Sequence, residues 1–265
     1  MLMPNPERRW FLVLVCHLDD SGESAEPVIT CAGYLSTAAV WVEFEAEARV
    51  YFDTRRQNPS APVTPLEYLH TVDLRQRRDV WDGWNTSETL AWSQGLFAIL
   101  DKHVAMGFEF SVLKSRFNEI KKQHPKDFQR EGSPFAFCFK GILSRILQNA
   151  GVRDVIGQPR VNLSFVIERG QKNEGGVKEV FDRYVQRDPD RLGGLMFEDK
   201  KARIALQASD FLAHFARRVR NVVPGGPTRE YDLEYFNAAV GPLIDRHHYF
   251  FATNFFGEDD WEFAA

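Results

Sequence analysis

Three apolar runs of this sequence end in acids: residues 10–18 lead into Asp19-Asp20, residues 161–167 into Glu168, and residues 195–197 into Glu198-Asp199. Open α/β sheets bind ligands in the crevice at the carboxyl ends of their strands, so this placement matters more than the number of acids. A fourth acid, Asp210, lies within a helical stretch. There Arg203, Gln207, Asp210 and His214 recur at spacings of four, three and four, beside an apolar stripe of Ile204, Ala208, Phe211, Phe215 and Val219. Converging carboxylates repel one another and need a cation, and hard oxygen donors select Mg2+ or Mn2+. Two such ions can stabilise the attacking and leaving oxygens of a phosphodiester. The competing reading is that acids at strand ends are solvated loop residues or helix caps.

Other reactive side chains give weaker signals. His70 is a candidate general acid, ligand or plain structural histidine. His247-His248 lacks the i, i+4 spacing of a helical metal pair. Ser21 is outside any Gly-x-Ser-x-Gly elbow and Cys16 lies inside a strand, which argues against a nucleophilic mechanism. The glycines between 170 and 176 lack the Gly-Lys-Ser/Thr ending of a phosphate loop. Basic groups occur at Arg75, Arg77 and Arg78, at Lys114, Arg116, Lys121 and Lys122, and at Arg217, Arg218 and Arg220. On the rim of an acidic site they would position a phosphate backbone; elsewhere they are solvated faces.

The elements that must position these residues follow from period and punctuation. Residues 10–18 read as a central strand and 28–35 as its hairpin partner. Ser36 or Thr37 caps a helix reaching about Thr54, and the prolines of 57–65 mark a loop. A helix over about 87–104, a strand at 108–113, a charged stretch with some helix at 114–132 and an apolar helix at 134–149 come next. Strand 161–167, helix 177–186, strand 195–197 and helix 203–220 follow, the last stopped by Pro224-Gly225-Gly226-Pro227. The expected class is α/β: a mixed sheet flanked by helices, in one domain over 1–227 with a helical insertion around 36–150. Residues 228–265 form a C-terminal extension packed on it.

The chain has 265 residues, 44% of them hydrophobic, including 22 Phe and 6 Trp, which is ample for a core and argues against extensive disorder. A net charge of −4 supplies no global basic field, so any nucleic-acid partner is met by a local patch. Cys16, Cys31 and Cys138 are odd in number, lack metal-type spacing and sit in apolar segments, as free thiols of a cytoplasmic protein do. No apolar run approaches a membrane span, and no export signal is expected. The aromatic tail offers a surface for a homodimer.

Leu18-Asp19-Asp20-Ser21-Gly22 resembles the Asp-Glu-Ser-Gly that ends the first strand of a bacterial family catalogued as domain of unknown function 3800. Leu69-His70-Thr71-Val72-Asp73-Leu74, Ile167-Glu168-Arg169 and Asp199-Lys200-Lys201 keep the family's order. Leu206-Gln207-Ala208-Ser209-Asp210-Phe211-Leu212 is similar to its closing Gln-x-Ala-Asp helix. Three positions depart from the family pattern: Asp20 replaces Glu, Glu168 replaces Asp, and Ser209 replaces Ala. The resemblance implies a ribonuclease H-like fold and a metal-dependent phosphodiester hydrolase. Asp19, Asp20, Glu168 and Asp210 would be catalytic. Asp19, Glu168, Asp199 and Asp210 would hold Mg2+ or Mn2+, and His70, Lys200, Gln207 and His214 would contact substrate. The alternative on the same fold is a non-catalytic nucleic-acid or partner-binding module, and a hydrolase with another substrate is a third.

Overall fold

The computed structural model describes residues 12–22, 26–128, 132–148, 161–170, 174–221, 230–246 and 248–254. Six strands form one mixed sheet: β1 (Leu12–Ser21), β2 (Val28–Thr37), β3 (Met106–Leu113), β4 (Val161–Glu168), β5 (Leu192–Glu198) and β6 (Tyr249–Asn254). Their spatial order is β5-β4-β1-β2-β3-β6. β1 pairs antiparallel with β2 and parallel with β4, so the strand that carries Asp19 is central, as its near-continuous apolar run predicts. β2 to β3 is antiparallel, whereas β3 to β6 and β4 to β5 are parallel.

Nine helices occur among the described residues: α1 (Ala38–Asp53), α2 (Thr71–Gln76), α3 (Thr86–His103), α4 (Lys114–Gln123), α5 (Pro125–Phe128), α6 (Pro134–Gln148), α7 (Glu174–Arg187), α8 (Ile204–Arg220) and α9 (Glu230–Asp245). Thr37 caps α1, accepting from the Val40 amide at 3.2 Å, and Asn85 with Glu88 forms a complete capping box on α3. The helices divide between the faces of the sheet. α1, α3, α8 and α9 cover one face in a core that includes Val15, Phe44, Leu96, Phe211 and Val240. α4, α6 and α7 cover the other, around Cys16, Leu18, Phe110, Phe139 and Phe165. The three cysteines are buried and free.

Two expectations change. The strand expected at 108–113 is β3, and it joins the sheet, so the 36–150 insertion is not separate from it. The tail does not merely pack on the domain, because α9 lies against α3 and α8 while β6 extends the sheet beyond β3. Its aromatics built this strand, which a period-based reading left ambiguous. Trp10, Asn149, the 224–227 stop and His247 lie outside the described residues. No helix among the described residues is long and apolar enough to cross a membrane.

Strand alternation decides which side of the sheet can be reactive. Val15, His17 and Asp19 face α1 and α8, while Leu14, Cys16 and Leu18 face α6. α8 lies across β1 and β2 and is tied to β1 by the Ser209 hydroxyl, which donates to the His17 carbonyl at 3.0 Å. Within the sheet, Gly33 of β2 lets β1 and β2 lie close: a Cβ there would stand 1.9 Å from the His17 carbonyl oxygen. The N-terminus of α8 is capped from α1, the Glu45 carboxylate accepting from the Ile204 amide at 3.0 Å and the Ala205 amide at 2.9 Å.

His17 is 6% exposed and meets Trp41 edge-on with ring centroids 4.7 Å apart. Burial, reinforced by Arg203, pushes its pKa down to about 3 from an ordinary 6.5, and burial does the same to His214. Both stay neutral in the folded chain, so stability is full above about pH 6.5 and falls as the unfolded chain takes up protons at lower pH. The expected loss from pH 6.5 to 5 is on the order of 2 kcal/mol per histidine. Urea melts of wild type and His17→Phe across this range check it. The variant should lose about half of the acid sensitivity, and an unchanged slope would show that the acid sensitivity lies elsewhere.

Candidate active site

Asp19 near the end of β1, Glu168 at the end of β4 and Asp210 in the second turn of α8 converge on one atom. The Lys200 ammonium lies 3.1 Å from Glu168, 3.3 Å from Asp210 Oδ1 and 3.7 Å from Asp19 Oδ2. Asp19 is completely buried; the Asp210, Lys200 and Glu168 side chains are 15%, 15% and 23% exposed. The cluster therefore has one sealed wall and a partly open mouth. Burial raises the Asp19 pKa well above the ordinary carboxylate range, and the negative charges of Asp210 and Glu168 push the same way against Lys200. For Lys200, burial favours the neutral amine, but the carboxylates of Asp210, Asp19 and Glu168 outweigh it and hold the ammonium above its ordinary range.

Two loops close around this centre, and Gln207 joins them. Its side-chain oxygen accepts from the Leu69 amide at 2.9 Å, while its side-chain nitrogen donates to the Lys200 carbonyl at 2.9 Å. Gln207 is fully buried, so its role is to fix the 69–71 segment and the 3-10 turn Lys200–Ala202 against α8. The first loop then delivers Thr71, whose hydroxyl donates to Asp210 Oδ2 at 2.5 Å. The loop is held from behind by Arg55, 2% exposed, which donates to the carbonyls of Thr64 and Val80 and stacks over Trp81 and Trp84.

Other expected site residues are placed elsewhere. Asp20 follows Leu18 on the opposite side of the β1 pleat, and its amide donates to Asp19 Oδ1 at 2.8 Å. Asp199 caps the turn after β5, its carboxylate accepting from the Lys201 amide at 2.9 Å. His214 sits one turn beyond Asp210, 8% exposed and edge-on to Phe215. His70 stays at the surface beside the site, its Nδ1 2.6 Å from Asp73 Oδ2. Of the basic groups, Arg217 binds Ser21 and Glu26, Arg75 and Arg218 share Asp232, and Arg220 holds the buried Glu109. These cations serve internal pairs. Next in the chain to two cluster residues are Lys201, 5.6 Å above the Tyr68 ring, and Arg169, which donates to the Phe197 carbonyl.

Sequence reasoning did not see Thr71 as a partner of Asp210, nor Lys200 as the centre of the cluster. The signal for Lys200 was available: a lysine two residues past an acid-ended strand, in a segment whose neighbours are anionic, is positioned to neutralise them. Glu45 and Arg55 carried no local signal. Among the described residues, no three His, Cys, Asp or Glu side chains are gathered as a ready metal site. Comparison with protein-family models and with curated proteins returns no match.

Removing the ammonium should leave three carboxylates facing each other. Lys200→Met is expected to cost about 3 kcal/mol at pH 7, the scale for breaking a buried ion pair. Millimolar Mg2+ or Mn2+ should restore much of the loss in thermal melts, and should stabilise the variant more than the wild type. A variant that melts like wild type and ignores both cations would show that the three acids do not depend on a shared positive charge.

Proposed function

We propose that this protein is a divalent-cation-dependent phosphodiester hydrolase of ribonuclease H-like fold. One observation carries the reading: acids from two adjacent parallel strands and one helix converge around a single cationic position at the carboxyl end of the sheet. The strand order β3-β2-β1-β4-β5, with β2 the antiparallel member, supports that fold.

The donor chemistry fits a hard cation, since carboxylate oxygens are the preferred ligands of Mg2+ and Mn2+ and the position they surround already holds a positive charge. Asp19, Glu168 and Asp210 would hold the ion; Asp199, committed to its cap, would not. When bound, such an ion supplies a water of lowered pKa and neutralises charge on the phosphate. The chain's own residues do the rest. Asp19, sealed by β1 and α8, fixes one side of the site and excludes bulk water there. Thr71 orients Asp210 through its hydroxyl, and Gln207 keeps Thr71 and Lys200 in register. With an ion bound by the carboxylates, Lys200 would be released from them and would offer a point charge suited to a phosphate oxygen. Lys201 and Arg169, next in the chain to cluster residues, suit the flanking backbone.

The Lys200 contacts also favour a second reading. An ammonium that already neutralises the acids is what a non-catalytic binding module would keep in place of a metal.

Asp19→Asn separates the two. It retains the side chain's size and the oxygen that accepts from the Asp20 amide, but removes a buried charge. Mn2+-supported cleavage of single-stranded and hybrid nucleic acids should be lost in the variant, by 10²-fold or more on the order seen for essential charge-stabilising groups. Its melting temperature without metal should hold or rise, because burial and the neighbouring acids oppose ionisation of Asp19. Wild type without cleavage and without metal-induced stabilisation, alongside a variant that melts earlier, would establish the binding-module reading instead.

A further inference from the structure

A groove of about 400 Å³ opens beside the carboxylate cluster, lined among others by Glu67, Tyr68, His70, Asp73, Asp79 and Trp81. Its volume lies within the roughly 300–1,000 Å³ of small-ligand sites. The groove and the cluster share one loop. Tyr68 and His70 line the groove, while Thr71, next in the chain, donates to Asp210. The Tyr68 hydroxyl lies within the electrostatic reach of Lys200, Asp210, Glu168 and Asp19.

Two features give the groove a chemical character. The Tyr68 and His70 rings lie nearly parallel, 23° apart in plane and 6.0 Å between centroids, and both are partly exposed. Flat, partly exposed rings next to a backbone-cleaving site are platforms on which an unpaired base stacks. Three carboxylates, Glu67, Asp73 and Asp79, share the lining with these rings; ionised they are acceptors, and Asp73 already meets His70 Nδ1. Asp79 is held at φ +53°, two residues after Arg77 at the same φ, a left-handed conformation uncommon for residues other than glycine. Carboxylates at the rim repel a phosphate and suit a base edge rich in N–H donors, as a carboxylate suits the exocyclic amine of cytosine.

Building on the hydrolase reading above, we infer that this groove binds an unpaired nucleobase bearing an exocyclic amino group, stacked on Tyr68 and His70, with the adjoining phosphate directed to the carboxylate cluster. Lys201, 5.6 Å above the Tyr68 ring and next in the chain to Lys200, would meet the linking backbone. The substrate class is therefore a single-stranded or locally opened nucleic acid, not a closed duplex whose bases are stacked and paired.

The test measures binding without turnover, by titration calorimetry of wild type with cytidine 5′-monophosphate, uridine 5′-monophosphate and ribose 5-phosphate. Cytidine monophosphate is expected to bind at least about 10-fold more tightly than the base-free sugar phosphate, the scale of one base–aromatic stack. It should also bind more tightly than the uridine nucleotide. Tyr68→Leu should remove the advantage over ribose 5-phosphate. Asp79→Asn keeps a residue that tolerates the left-handed conformation and adds a donor, so it should narrow or reverse the preference for cytidine over uridine. Equal binding of cytidine monophosphate and ribose 5-phosphate, or nucleotide affinities untouched by both substitutions, would overturn the inference. Asp19→Asn serves as the control: nucleotide discrimination retained with cleavage lost keeps the two sites separate. Discrimination in a wild type that never cleaves would sink the hydrolase and leave the base site standing.

Discussion

Three carboxylates cannot share one partly buried pocket without a positive charge among them, and everything around the Lys200 ammonium in this protein serves that constraint. The acids arrive on rigid elements: two adjacent parallel strands set Asp19 and Glu168, and a long helix laid across the sheet sets Asp210. The position of that helix is over-determined. Glu45 caps its first amides, and Ser209 binds the strand below. The cost of gathering like charges is thereby carried by the packing of a whole helix, not by a flexible loop.

The loops obey the same logic in reverse. Leu66, Leu69 and Leu74 sink the first segment into the core, and one fully buried amide, that of Gln207, ties both segments to α8. An amide is the suitable side chain because it presents an acceptor and a donor at once, and the two segments offer an N–H and a carbonyl respectively. Buried backbone groups left without partners would cost about 1–3 kcal/mol each, which makes the amide a condition for both loops to close. Arg55 performs a comparable task on the far side, its guanidinium lying against the Trp81 and Trp84 rings and hydrogen-bonded to the segment that becomes the groove wall.

How much of this was legible in the sequence follows from the range of each signal. Residues 28–35 and 161–167 read as strands because their runs are apolar and bounded, and the central place of β1 followed from its lack of a polar face. The acids at strand ends were visible because an abrupt change from apolar to charged is local. Pleat parity separates Asp19 from its neighbour Asp20, and it becomes decidable only when the opposing faces are known: both residues follow the same run, yet one lies under α8 and the other across the sheet. Contacts such as Thr71 to Asp210 span 139 positions and leave no periodic trace. β6 escaped for a different reason: a parallel edge strand completed by distant chain has no hairpin turn to announce it.

The polar stripe of α8 shows why spacing alone underdetermines chemistry. Arg203, Gln207, Asp210 and His214 share one face, but the face curves past several environments in about three turns. Arg203 reaches outward to Glu198 at 2.6 Å, Gln207 is swallowed between two loops, Asp210 meets the ammonium, and His214 is buried and neutral. One stripe therefore supplies a surface ion pair, a strut, a functional acid and a core residue. What sorts them is the depth at which each turn meets the sheet. Only the turn that crosses the ends of β1 and β4 lies level with their carboxylates, and that is the turn that carries the aspartate.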